Sequence, residues 1–173
     1  MTAVAAAVAL ILLLPSPALA DERAVSDPDD VVGTLDLRRV SLAKLGPTEP
    51  LTIWIETYDG WGPRTLVRNN NRMIVLFDTD GDGSRDFRAR ILRLKRKFVA
   101  LIKGSGQSFE PLPVTKPNRR TVRLVIPGSI PVNPDGGPPG IRVLTRFIGA
   151  QGCDPASGSK PCIDRAPDGG AWL

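Results

Sequence analysis

Apolar residues recur at every second position along much of this chain, and no long segment carries them at the 3.6-residue spacing of an amphipathic helix. Leu51-Thr52-Ile53-Trp54-Ile55-Glu56-Thr57-Tyr58 alternates cleanly until Asp59-Gly60 ends it. Thr121 to Ile126 and Ile141 to Phe147 alternate in the same way. Arg72 to Phe77 is a nearly continuous apolar run, the pattern of a central strand covered on both faces. Leu35-Asp36-Leu37 and Val40-Ser41-Leu42 are out of phase by one residue, which predicts a bulge near Arg38-Arg39. Between Asp86 and Lys103 the parity shifts, so a bulge or turn falls there, with another turn near Lys95-Arg96-Lys97; a helix over 87–97 is the alternative. Prolines from Pro111 to Pro139 confine their segments to edges and loops, because they donate no ladder hydrogen bond. Together these signals predict an all-β fold, an antiparallel, jelly-roll-like β-sandwich of about eight or nine strands.

The first twenty residues stand apart. Val4 to Leu14 is apolar, and Ala18-Leu19-Ala20 makes an A-x-A-like cleavage site, so residues 1–20 read as a signal peptide despite lacking an early Lys or Arg. The apolar run is shorter than the roughly 20 residues a membrane span requires. Residues 21–173 then form one domain of about 150 residues, long enough to bury a core. No second apolar segment follows, so a secreted, extracellular location without a stable membrane anchor is expected. Export suits the two cysteines: Cys153 and Cys162 are expected to close a small C-terminal disulfide loop.

Residues 78–86 read Asp-Thr-Asp-Gly-Asp-Gly-Ser-Arg-Asp. Four carboxylates on one short glycine-containing loop repel one another unless a cation sits among them, and the hard oxygen set suits Ca2+. Asp78, Asp80 and Asp82 would give side-chain oxygens, Ser84 its carbonyl, and Asp86 a direct or water-mediated ligand. The opening D-x-D-x-D-G matches half of an EF-hand loop, but position 12 is Ala89 rather than Glu, and no helix leads in. The loop should join two strands instead, with Asp30 or Asp36 completing the shell. An Asp-Gly hairpin that binds nothing is the plainer alternative.

Catalysis finds little support. The chain has no histidine, which removes Ser-His-Asp, Cys-His and imidazole-based zinc chemistry. The carboxylates offer no good pair across a cleft for glycoside hydrolysis. No enzyme and no nucleic-acid partner is expected. On the alternating strand Trp54, Glu56 and Tyr58 face outward, with Trp61 just beyond, a recipe for stacking on sugar rings; the alternative is that a loop or other strands cover them. The net charge of +5 suits an anionic wall polymer, or simple solubility.

Asp27-Pro28-Asp29-Asp30, Gly33-Thr34-Leu35-Asp36-Leu37, the alternating strand, Leu76-Phe77-Asp78-Thr79-Asp80-Gly81-Asp82-Gly83 and Val125-Ile126-Pro127 follow one another in order. In this the chain resembles small secreted actinobacterial-type proteins whose β-sandwich is similar to family 9 carbohydrate-binding modules and DOMON domains. The resemblance implies a structural calcium and a sugar or haem ligand, though no histidine is present as a haem ligand. The expected function is a secreted, non-catalytic binding module with structural calcium, recognising carbohydrate or wall polymer. The alternative is a structural or protein-partner-binding extracellular domain. The sequence leaves the oligomeric state open.

Overall fold

The computed structural model describes residues 21–46, 48–67, 71–104, 106–129, 139–149, 153 and 160–173. The leader over 1–20, most of the proline-rich stretch 131–140, and the residues between the two cysteines up to 159 lie outside the described residues.

The described residues form eleven strands: β1 (Asp21–Ser26), β2 (Leu37–Lys44), β3 (Leu51–Thr57), β4 (Arg72–Asp78), β5 (Phe87–Leu94), β6 (Lys97–Gly104), β7 (Gln107–Ser108), β8 (Leu112–Thr115), β9 (Thr121–Ile126), β10 (Gly140–Phe147) and β11 (Cys162–Ala166). The alternation read from the sequence is the alternation of burial. Leu51, Ile53 and Ile55 of β3 are fully buried, while Thr52, Trp54 and Glu56 between them are half-exposed. The slip near Arg38-Arg39 is a register shift between Leu37 and Arg39 where β2 pairs with β3. The stretch 87–103 is a hairpin, not a helix: β5 and β6 pair from Phe87↔Gly104 to Leu94↔Lys97 around a turn at Lys95-Arg96. β4 differs from expectation in one respect. Met73, Val75 and Phe77 are buried, but Ile74 and Leu76 are only partly covered, because their side of the sheet meets solvent.

The strands form one antiparallel sheet in the order β1-β2-β3-β9-β8-β6-β5-β4-β10-β11, with β7 paired to β6 outside that path. This corrects the sandwich. A single sheet curls around one core, nearly closed and barrel-like, rather than two sheets stacked face to face. Period-two patterning says which side chains point inward, and both architectures satisfy it equally. What separates them is the partner choice of distant strands, here β3 with β9 and β4 with β10.

The two ends of the sheet meet at a seam that side chains bridge in place of a ladder. The Leu37 N–H donates to Asp164 Oδ2 at 2.5 Å, joining the start of β2 to β11. Thr145 Oγ1 on β10 donates to the Leu35 carbonyl at 2.7 Å. A disulfide ties Cys162, the first residue of β11, to Cys153.

Candidate metal centre

The seam is where charge is concealed. After β1 the chain leaves the sheet at Asp27, whose N–H still donates to the Arg38 carbonyl at 2.9 Å, and crosses to β2 by way of Asp36. Tyr58 clamps both ends of this crossing: its hydroxyl donates to the Asp27 carbonyl at 2.7 Å and its N–H to the Asp36 carbonyl at 3.0 Å. Midway, Gly33 sits at φ +133° with the Phe147 ring against it; a Cβ there would lie 2.5 Å from that ring. Only glycine serves both needs at that point.

The crossing brings Asp27, Asp30 and Asp36 beside Asp164, each offering an oxygen within 4.8 Å of the others. Asp27, Asp36 and Asp164 are only 3–4% exposed. Asp164 uses its two oxygens to accept from the Leu37 and Arg165 N–H groups. Asp27 Oδ2 and both oxygens of Asp36 are buried without a hydrogen-bond partner among the described residues. Leaving a buried acceptor unmatched costs about 1–3 kcal/mol, and more when it is charged. Burial first, and then the neighbouring Asp164, Asp168 and Asp30 carboxylates, push Asp27 up to about 8. Asp36 rises to about 8 for the same first reason, with Asp29 and Asp164 beside it. Burial also raises Asp164. Without a cation Asp27 and Asp36 hold protons near neutrality. A cation held here would displace those protons and take the orphaned oxygens as ligands.

The hairpin tip is differently built. β4 delivers Asp78, and Gly81 and Gly83 take the positive φ values, +75° and +83°, that the turn needs. Asp78 accepts from the Gly81 and Gly83 N–H groups at 2.8 and 2.9 Å. Asp80 and Asp82 accept from the N–H groups of Asp82 and Ser84. Asp86 accepts from the Thr79 N–H and hydroxyl, and these bonds lower its pKa. Asp78, Asp80 and Asp86 converge within 4.8 Å, whereas Asp82 and Ser84 stand exposed outside that group. Every loop carboxylate therefore already has a donor, and none is orphaned as at the seam.

Asp30 and Asp36 do not complete the loop's shell. Asp78 pairs with Gly140 and Asp164 with Thr145, five residues apart on β10. At about 3.3 Å per residue that is about 17 Å. The two clusters are separate.

The aromatic row is also divided. Trp54 is half-exposed between Ser41 and Arg123 of its neighbouring strands. Glu56 pairs with Arg38 at 3.1 Å. Tyr58 spends its hydroxyl on the seam. Trp61 turns inward, 3% exposed, edge-on to Phe98 at 5.6 Å, because the chain bends after Asp59-Gly60 and lays the ring on the core. Lys116 caps its face at 4.1 Å, and burial lowers that ammonium to about 8.

Asp27 and Asp164 were missed by sequence reasoning. The signal at Asp164 was an acid at the inward parity of a short strand, two residues before buried Ala166. The chain matches no family model, no curated protein and no solved structure, so the resemblance to carbohydrate-binding modules and DOMON domains has only its short motifs behind it.

Proposed function

We propose that this is a non-catalytic extracellular domain that holds Ca2+ at the seam of its barrel, where the ion latches the last strand onto the first two. One observation carries the reading: three buried carboxylates converge there, with three oxygens that no backbone or non-acidic side-chain donor in the described chain satisfies. The donor set is all oxygen. The chain has no histidine and both cysteines are joined in the disulfide, which favours a hard cation over zinc or copper. The disulfide is consistent with an oxidising setting outside the cell, where calcium is plentiful. The hairpin tip is a second, weaker position for the same ion, suited to the roughly 10⁻⁴–10⁻³ M affinities of extracellular modules.

The test is calorimetric titration of EDTA-stripped protein with CaCl2, alongside thermal melts. Wild type is expected to bind one ion tightly through the seam. Asp164→Asn is expected to abolish that event, and Asp80→Asn to leave it intact. Loss of tight binding in Asp80→Asn with retention in Asp164→Asn would move the site to the hairpin tip. No heat and an unchanged melting temperature in all three proteins would refute the reading.

A further inference from the structure

Acids crowd the seam and the hairpin tip, and on one broad wall of the barrel the outward positions carry none. On β10, β4, β5 and β6 the outward positions follow from the strand registers. Between Arg72 and Leu76, Arg88 and Leu92, Val99 and Lys103, and Arg142 and Arg146 they are all cations or aliphatic residues and include no carboxylate. Arg88 stands directly opposite Lys103, and Arg72 opposite Arg146. Like charges placed so are destabilising. The acids that border this side, Asp78 and Asp86, are occupied by the Gly81 and Gly83 N–H groups and by Thr79. In the middle lies a groove of about 220 Å³ lined by Arg72, Ile74, Arg88, Arg90, Leu101 and Lys103. Arg88, Arg90 and Lys103 are exposed, and the Arg72 Nε is buried without a partner among the described residues.

The wall on β2, β3 and β9 is built otherwise. There Arg39 faces Glu56, and Glu56 pairs with Arg38. That is an ordinary solvated surface with both signs interspersed. The arginine groove is a one-sign field set in a concave, partly aliphatic floor.

We propose that this groove docks an extended polymer carrying one phosphodiester in each repeat. Arginine forks match phosphate oxygens two at a time. Four cations separated by about 5 Å across strands and about 7 Å along them need several anionic groups, so a single small anion leaves most of them unmatched. Single-stranded nucleic acid is disfavoured because the groove's lining includes no aromatic ring for bases to stack on, and Trp172, which does lie on this wall, is already stacked on Arg142 at 4.6 Å. A bilayer is disfavoured because Ile74 and Leu101 lie half-buried in the floor and offer no projecting apolar anchor. The inference goes beyond the cation reading and uses none of the seam residues.

The experiment is fluorescence anisotropy of labelled poly(glycerol phosphate) with calcium-loaded protein at about 50 and about 200 mM NaCl. Binding is expected to weaken with salt, with a log–log slope of about −3 for four neutralised charges. The double variant Arg88→Gln/Arg90→Gln is expected to lose at least about tenfold in affinity and about half of that slope. Arg39→Gln/Arg123→Gln removes the same charge from the opposite wall and is expected to lose less than about threefold. These four side chains are exposed, so melting temperatures should stay at the wild-type value and certify the fold. Repeating the titration on Asp36→Asn, which is expected to lose the seam ion, should leave polymer affinity unchanged. Equal losses in the two double variants would overturn the proposal by reducing it to net charge. Equal affinity for glycerol 3-phosphate would also overturn it, as would preferential binding to phosphatidylglycerol vesicles, which would make the wall a membrane contact.

Discussion

Calcium binding at the seam should expel protons, and the number expelled should report which carboxylates are used. Asp27 and Asp36 are both raised to about 8 in the cation-free protein, first of all by burial. At pH 6 each is therefore protonated almost completely, and a cation that takes their oxygens must displace both protons. At pH 9 both are largely ionised already. Titration calorimetry in two buffers of different ionisation enthalpy measures the difference directly. About two protons should be released per ion at pH 6, and fewer than about one at pH 9. Affinity should accordingly strengthen by up to about a hundredfold per pH unit well below 8, and level off above it. At the hairpin tip the shift runs the other way: the Thr79 bonds hold Asp86 below its usual range, so Asp86 has no proton to yield to an ion at pH 6. Tight binding at pH 6 with no proton release would refute the assignment of the ion to Asp27 and Asp36.

The same shifts fix how the cation-free fold responds to pH. Both groups are acids raised in the folded state, so folding takes up protons between about 4 and 8, and stability should fall as pH rises through that window; melts in EDTA at pH 5 and 8 check the sign. Calcium at about a hundred times its Kd should restore about 2.7 kcal/mol, or about 5–11 °C in melting temperature for a domain of this size. Asp36→Asn should raise the stability of the EDTA-treated protein at pH 9 by about 1–3 kcal/mol, by removing one of the crowded charges, while erasing most of the calcium-induced shift. Gly33→Ala should cost about 1–3 kcal/mol and weaken calcium binding, because the crossing segment must move off Phe147; chemical denaturation and the calcium titration read both effects. Replacing both cysteines with serine should cost about 3 kcal/mol for a loop of sequence separation 9, read by urea unfolding.

Much of the sheet was legible from alternation alone. β3, β4, β9 and β10 lie within a residue of where the periodicity of Leu51–Tyr58, Arg72–Phe77, Thr121–Ile126 and Ile141–Phe147 places them. The bulge beside Arg38 and the turn at Lys95-Arg96 were legible too, because a parity slip has few physical meanings. Barrel closure was not, since it depends on Leu37 meeting Asp164 across 127 residues, and no local pattern encodes that meeting. The acidic loop drew attention because its four carboxylates fall within the single short stretch Asp78 to Asp86. The seam cluster did not, although its acids are better hidden from water, because Asp27, Asp36 and Asp164 are neighbours only after folding. Trp61 shows the same limit: its position just past a clean strand says nothing about which way the chain turns next.

Closure at the seam also dictates an order of events in folding. The hairpins β4–β5 and β5–β6 join near neighbours in the chain and need no distant partner to zip. The bonds from Leu37 to Asp164 and from Thr145 to Leu35 unite stretches more than a hundred residues apart, so their loop-closure entropy is met only once the intervening sheet exists to hold the ends close. The ring should thus shut last, and it should also be the first place to breathe. Amide exchange at Leu37 should outpace exchange in the middle of β4 and slow sharply when the ion arrives.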